Sequence, residues 1–462
     1  FTCTWPCVIS WRACEREFEL NRPHAPALYL GVVPVVRLHG GVLAIGGSGE
    51  VVEWAVHMRR FDQADLLGSI ADRGGIDGSL ARSIADAVFD YHSHATVDGK
   101  AGPFNQIGAI IAELEKGLCA SGMRFSLDDI SLFETRCRHH LDAAKNVLER
   151  RAEHGRVRRC HGDLHLDNIV MWQGRPTLFD ALEFDERLAR IDMLYDLAFL
   201  LMDLDRRGHR GAANIVLNRY LWRSQELLDI EGLAAMPLFL ALRAGIRAMV
   251  SAQRGLQAGA LSGASYWRSA DHFMRAALGY LSPPRPLLIA VGGISGTGKS
   301  TLAAALAPSI GAAPGAIHCR SDLERKALFG AAETEQLSHA CYAAAVGEEV
   351  YALLSKKAKA ALRTGFAVIL DAAFLQREQK MHAEHVAAEL SVPFHGLWLE
   401  APRDILLERV AARTGDASDA SVDVVRRQLA GSCDAVNWTP IDASGSAGET
   451  LIHARSALGL RP

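Results

Sequence analysis

Two short runs in this 462-residue chain carry residue types at spacings suited to phosphate chemistry. The first, Gly293-Ile-Ser-Gly-Thr-Gly-Lys-Ser300, fits G-x-x-x-x-G-K-[ST] throughout. Its glycines let successive backbone N–H groups curl around phosphates, and the helix that follows adds partial positive charge at its N-terminus. The expected nucleotide-binding set is Gly293, Ser295, Gly296, Thr297, Gly298, Lys299, Ser300 and Thr301. Lys299 is expected at the β- and γ-phosphates and the Ser300 hydroxyl on Mg²⁺, which makes ATP and Mg²⁺ the implied ligands.

The second run is Cys160-His-Gly-Asp-Leu-His-Leu-Asp-Asn-Ile-Val170. Asp163 and Asn168 stand five residues apart in a loop before a β-rich stretch. At that spacing a carboxylate accepts the substrate proton and the later amide ligates Mg²⁺. The strand Thr177-Leu-Phe-Asp180 supplies Asp180 as a second metal ligand, and His161 and His165 brace the loop through hydrogen bonds.

Further charged residues belong with the first run. Asp371 ends the apolar strand Phe366-Ala-Val-Ile-Leu-Asp371, where it can hold Mg²⁺ through its water shell. Asp322, at the carboxyl edge of the preceding strand, is either a catalytic acid that orients an acceptor hydroxyl or the N-cap of the next helix. Beside it, Arg320, Arg325 and Lys326 are candidates to hold an anionic or polar acceptor. Arg409 and Arg413 share a helix face at i, i+4 spacing and are the candidates to stabilise transition-state charge.

These residues need scaffolding. Arg12 to Asn21 reads as helix, while Leu30 to Arg37 and Val51 to Met58 are β-rich and flank a Gly-rich turn. Residues 63–153 and 190–280 read as helices, with a β-rich patch between. Ser282-Pro-Pro-Arg-Pro286 can continue neither helix nor sheet and marks the domain boundary, giving domains at 12–280 and 287–462 joined by a Pro-rich linker at 281–286. In the second domain, strands at 287–291, 316–319, 366–371 and 393–399 alternate with helices, the pattern of a parallel sheet covered on both faces.

Composition excludes more than it selects. With 49% hydrophobic and 22% charged residues the chain has material for two cores. A net charge of −3 makes no electrostatic case for nucleic acid or anionic membrane as partner. No uninterrupted apolar run reaches the roughly 18 residues that span a bilayer. The nine cysteines are scattered without a C-x-x-C pair, which argues for reduced thiols in a cytosol and against a clustered metal site.

Residues 287–462 resemble the P-loop small-molecule kinases, the group of gluconate kinase, chloramphenicol phosphotransferase and the zeta-toxin kinases. That resemblance implies transfer of the ATP γ-phosphate to a hydroxyl. The H-G-D-x-H-x-x-N run, with Asp180, Phe179 to Asp185 and Ile191 to Phe199, resembles the aminoglycoside phosphotransferases of the protein-kinase-like fold. There Asp192 and Asp196 are implied to be structural anchors. The whole chain resembles two-domain bacterial fusions of the two, an α+β kinase-like domain followed by an α/β P-loop domain. The family's first strands carry a phosphate-covering loop and a lysine that pairs with a helix acid. Glu15, Glu17 or Glu19 answers to the acid, and Gly46-Gly-Ser-Gly-Glu-Val-Val52 fits a hairpin better than that loop, so the first lobe is expected to be truncated. The expected function is small-molecule phosphotransfer with the competent ATP site in the P-loop domain. An ATP-hydrolysing sensor or scaffold with a non-catalytic kinase-like domain is the alternative.

Overall fold

The computed structural model describes residues 7–99, 102–121, 125–412, 417–431 and 437–460. The chain divides into two compact units, one of residues 1–220 and 238–278, the other of residues 221–237 and 279–462. The Pro-rich stretch lies at the start of the second unit's main segment. Residues 221–237 join that unit through side chains: the Trp222 indole N–H donates to the Leu323 carbonyl (3.1 Å), and Lys357 Nζ donates to Gln225 Oε1 (3.1 Å).

In the first unit, helix Cys7–Asn21 precedes a three-stranded antiparallel sheet. Its strands are β1 (Tyr29–Arg37), β2 (Leu43–Ile45) and β3 (Glu50–Met58), in the order β2-β1-β3. The Gly-rich run at 46–49 joins β2 to β3, which lie on opposite sides of β1, so it crosses the end of the sheet and does not close the hairpin expected of it. Helices Gly78–His94 and Leu127–Glu153 begin at Asp77 and Ser126, whose side chains accept the Leu80 and Asp129 amides. On the longer one, Ile130, Phe133, Cys137, Leu141, Ala144 and Leu148 are buried, one stripe at helical spacing.

Two short antiparallel ribbons then hold the H-G-D loop. One pairs β4 (Val157–Arg159) with β7 (Arg190–Asp192), the other β5 (Ile169–Trp172) with β6 (Arg175–Leu178). Each contributes three or four residues per strand, too few to stand without the helices around them. Helix Met193–Arg206 follows, capped by Asp192, and twelve of its residues are buried.

In the second unit, β8 (Leu288–Gly293), β9 (Ile317–Arg320), β10 (Val368–Asp371), β11 (Phe394–Glu400) and β12 (Thr439–Asp442) form a parallel sheet in the order β12-β11-β8-β10-β9. Every residue of β8 and β10 is buried, as expected for strands covered on both faces. The strand β12 has no counterpart among the strands read from sequence. It is four residues long with Pro440 inside it, which suits only an edge position.

Hydropathy averaged over a window, rather than uninterrupted runs, picks out residues 227–258 as long and apolar enough to cross a bilayer. Since 72% of that window is buried, it reads as core helix.

Candidate active sites

The phosphate loop lies between buried β8 and helix Lys299–Leu306. Gly296 has φ +93°, and a Cβ there would stand 2.9 Å from the Leu406 carbonyl oxygen, so glycine is required twice over. Thr297 Oγ1 and Lys299 Nζ both donate to the Ile294 carbonyl, at 2.8 and 3.2 Å. The lysine is thus held against its own loop. The Ser295 amide donates to Gln428 Oε1 (2.9 Å), on helix Val422–Ala430. Leu406, Val410 and Val425 pack with Ile294 and Leu429 into an apolar seam behind that contact.

Asp371 is buried at the end of β10, where the Ser300 hydroxyl hydrogen-bonds to it. His318 Nε2 lies 3.1 Å and Arg320 Nε 3.7 Å from Asp371 Oδ2. Burial alone would raise this carboxyl; the His318 hydrogen bond and charge, then Arg320 and Ser300, hold it down at about 2. A serine hydroxyl beside a carboxylate that is ionised at neutral pH is an oxygen-only donor pair, which suits Mg²⁺.

Asp322 lies in the first turn of helix Ser321–Leu328, whose N-cap is Arg320, so the capping alternative does not hold. Its side chain hydrogen-bonds to Ser418. Desolvation raises its carboxyl and neighbouring Asp371 raises it further, while Arg320 and Lys299 act the other way. Asp322, Asp371 and Lys299 therefore share one electrostatic neighbourhood at the carboxyl edge of the sheet, where such folds bind ligands.

Some expected contributors have other work. Lys326 is fully buried and bonded to both oxygens of Asp419 (2.8 and 3.0 Å), so it is a structural pair rather than an acceptor contact. Asp419 also accepts the Leu337 amide and the Tyr342 hydroxyl, tying three segments together. The Arg325 guanidinium donates to the Cys341 carbonyl and lies over the Tyr342 ring. Arg409 gives its guanidinium to the carbonyls of Ala443 (2.7 Å) and Gly445 (2.7 Å), so it braces the loop after β12 instead of standing free as a lid cation. Arg413 lies outside the described residues. Beside the phosphate loop, a cleft of about 760 Å³ is lined by Ile294, Thr297, Leu406, Pro440, Asp442 and Ser444, room enough for a nucleoside.

In the first unit the H-G-D loop is held from below by Asp196, which accepts the amides of His161 and Gly162 (3.0 Å each) and lies 3.1 Å from His92 Nε2. With Cys160, His92 and Asp196 bring three metal-capable atoms within 4.8 Å, a cluster invisible in the linear spacing. The Asp196 oxygens are taken up by these N–H donors, so the cluster is a brace. Asp192 pairs with fully buried Arg151 at 2.7 and 2.8 Å, the structural role expected of it. Gly162 adopts φ +85°, with Leu182 Cβ only 3.0 Å from where its own Cβ would be.

Asn168 Nδ2 donates to Asp163 Oδ2 (3.0 Å) and to the Asp163 carbonyl (2.9 Å). The amide oxygen is left for a cation, and with the exposed Asp180 it makes a hard donor set. His165 Nδ1 accepts the Asp167 amide, so its Nε2 carries the proton and donates to Asp163 Oδ2 (3.3 Å). Burial would raise the Asp163 carboxyl, yet His165, His161 and Arg243 bring it to about 2. Of the three helix acids, Glu17 faces the site. Desolvation first, then Asp180 and Glu183, push it up to about 7, against a hydrogen bond from Tyr29.

Comparison with known proteins finds a family match in each part of the chain. Residues 12–236 match the phosphotransferase enzyme family, and residues 288–433 match an AAA domain. The chain joins a phosphotransferase-family domain to a P-loop AAA domain. Uncharacterized proteins of Mycobacterium tuberculosis and Mycobacterium bovis are 29% identical over 461 residues, spanning 97% of this chain and 88% of their own. A gluconokinase from Sinorhizobium meliloti aligns over 38% of this chain and 94% of its own at 20% identity and TM-score 0.28. A Plasmodium vivax ethanolamine kinase aligns over 58% and 71% at 12% identity and TM-score 0.36. The phosphotransferase-family domain carries Asp163, Asn168 and Asp180; the AAA domain carries the phosphate loop, Asp322, Asp371 and Arg409.

His318, Gln428 and Ser418 are absent from the residues expected from sequence. His318 alone left a signal: strand alternation puts it on the same face of β9 as Arg320, in the strand beside Asp371.

Proposed function

We propose that this protein is an ATP- and Mg²⁺-dependent phosphotransferase that moves the γ-phosphate to a hydroxyl of a small molecule, and that the P-loop AAA domain carries the transfer. The observation that supports it most is the junction of Ser300 with Asp371, with Lys299 and Asp322 in the same electrostatic neighbourhood. These are the holder of the metal, the holder of the phosphates and an acid for the acceptor.

The phosphate-loop amides and Lys299 bind the triphosphate, and Lys299 leaves the Ile294 carbonyl to do so. Bound Mg²⁺ neutralises charge on the phosphates; Ser300 and Asp371 are the residues that would hold it. The acceptor oxygen attacks the γ-phosphorus as the bond to the β–γ bridging oxygen breaks. Asp322 accepts the hydroxyl proton; its raised carboxyl makes it a better base than an ordinary aspartate. Among the described residues six cysteines are free thiols, which supports a reducing, cytoplasmic setting for this chemistry.

A second reading has an observation of its own. The Asp163–Asn168 hydrogen bond joins the two residues expected to act in the phosphotransferase-family domain, which supports a second transfer site there. ADP release measured against a panel of sugars, sugar acids, nucleosides and aminoglycosides tests the proposal. Stimulation by one acceptor, lost in Asp322→Asn, supports transfer by the P-loop AAA domain. Slow turnover indifferent to the panel would overturn it in favour of an ATP-hydrolysing switch.

A further inference from the structure

Asp371 must present its carboxylate in one orientation if it is to order the water shell of a metal held by Ser300. Backbone alone does not fix this, because a terminal carboxylate swings broadly about its last torsion. Three groups reach it from neighbouring elements: the Ser300 hydroxyl and, on β9, His318 and Arg320. Parallel pairing sets Ile369 opposite His318 and Asp371 opposite Arg320, so the imidazole lies one strand across and slightly behind the carboxylate. A carboxylate can only accept, so His318 Nε2 carries the proton in this 3.1 Å contact. The His318 side chain is 10% exposed and Asp371 4%, which keeps water from competing for the bond.

Resting on the kinase reading above, we propose that His318 is a positioning residue for the transfer site, holding Asp371 Oδ2 so that the other oxygen is turned to Ser300 and the magnesium shell. Donors behind a metal-holding group commonly set metal affinity as strongly as that group's own neighbours do. His318 has no need to touch nucleotide or acceptor to act in this way. Arg320, at 3.7 Å from the same oxygen, is shared with Glu333 and is the weaker holder.

The test uses the full chain and a fluorescent ATP analogue, with affinity measured in excess magnesium and in EDTA. Wild type is expected to bind more tightly with magnesium. His318→Leu keeps the volume and removes the donor, so it is expected to lose about 10-fold of that enhancement, with the affinity in EDTA unchanged within about two-fold. His318→Gln places an amide N–H near the original Nε2 and is expected to restore most of the loss. His318→Asn is too short to reach and should behave like leucine, which decides the matter if the leucine variant does not fold. Full enhancement in His318→Asn or His318→Leu would overturn the proposal, as would an equal loss of affinity in EDTA. Nucleotide binding that is insensitive both to magnesium and to Lys299→Ala would instead overturn the kinase reading itself.

Discussion

At the scale of single residues, the site depends on groups whose charge is fixed by their neighbours. Asp371 is the clearest. Its folded pKa of about 2 lies below the ordinary 3.8, so it adds stability above pH 4 and loses it as the pH falls toward 2. The contribution is on the order of 2 kcal/mol. Asp371→Asn should therefore lower the melting temperature at pH 7 and converge on wild type only as the pH falls below about 2, as followed by thermal denaturation. Glu17 has the opposite sign. Raised to about 7, it is neutral at pH 5 and largely charged at pH 8, and its cost appears as the pH rises. Glu17→Gln should raise the melting temperature at pH 8 and leave it nearly unchanged at pH 5; an equal effect at both would contradict the burial and acid repulsion behind it.

At the scale of elements, the surroundings of Asp322 in the P-loop AAA domain are held together by one carboxylate. Asp419 joins helix Ser321–Leu328, through Lys326, to the segment containing Leu337 and Tyr342. Its neighbour Ser418 reaches Asp322. Asp419→Ala leaves the buried Lys326 charge with only the Glu335 carbonyl and no counter-ion, which should destabilise the second unit by about 3 kcal/mol in denaturant titration. If the variant stays folded, acceptor KM should rise while affinity for ADP holds, because the phosphate loop is not part of this junction. Unchanged stability would mean that Lys326 finds water or another acceptor.

The elements also show how far the chain could be read before folding. The phosphate loop and the H-G-D loop were legible because their chemistry is contiguous: one turn of backbone supplies nearly every group. Asp371 was legible as the end of an apolar strand, and Asp322 as an acid just past the carboxyl end of another. What escaped was pairing across distance. His318 meets Asp371 from 53 residues away, and Gln428 meets Ser295 from 133. Spacing holds no trace of such contacts, since parallel strands bring them together only after crossover connections. Arg409 and Lys326 were misjudged for the same reason. A cation beside a site looks available until the loop carbonyls or the acid that engage it fold into place.

At the scale of the whole molecule, two kinase-type domains share one chain. We propose that turnover belongs to the second. ADP release under saturating MgATP, for wild type beside Lys299→Ala and Asp163→Ala, addresses it most directly. Loss of a lysine at the transferring phosphate should lower the rate by about 10²-fold or more, whereas Asp163→Ala should stay within about two-fold of wild type. A large loss in Asp163→Ala, with Lys299→Ala near wild type, would place the chemistry in the phosphotransferase-family domain and contradict the claim.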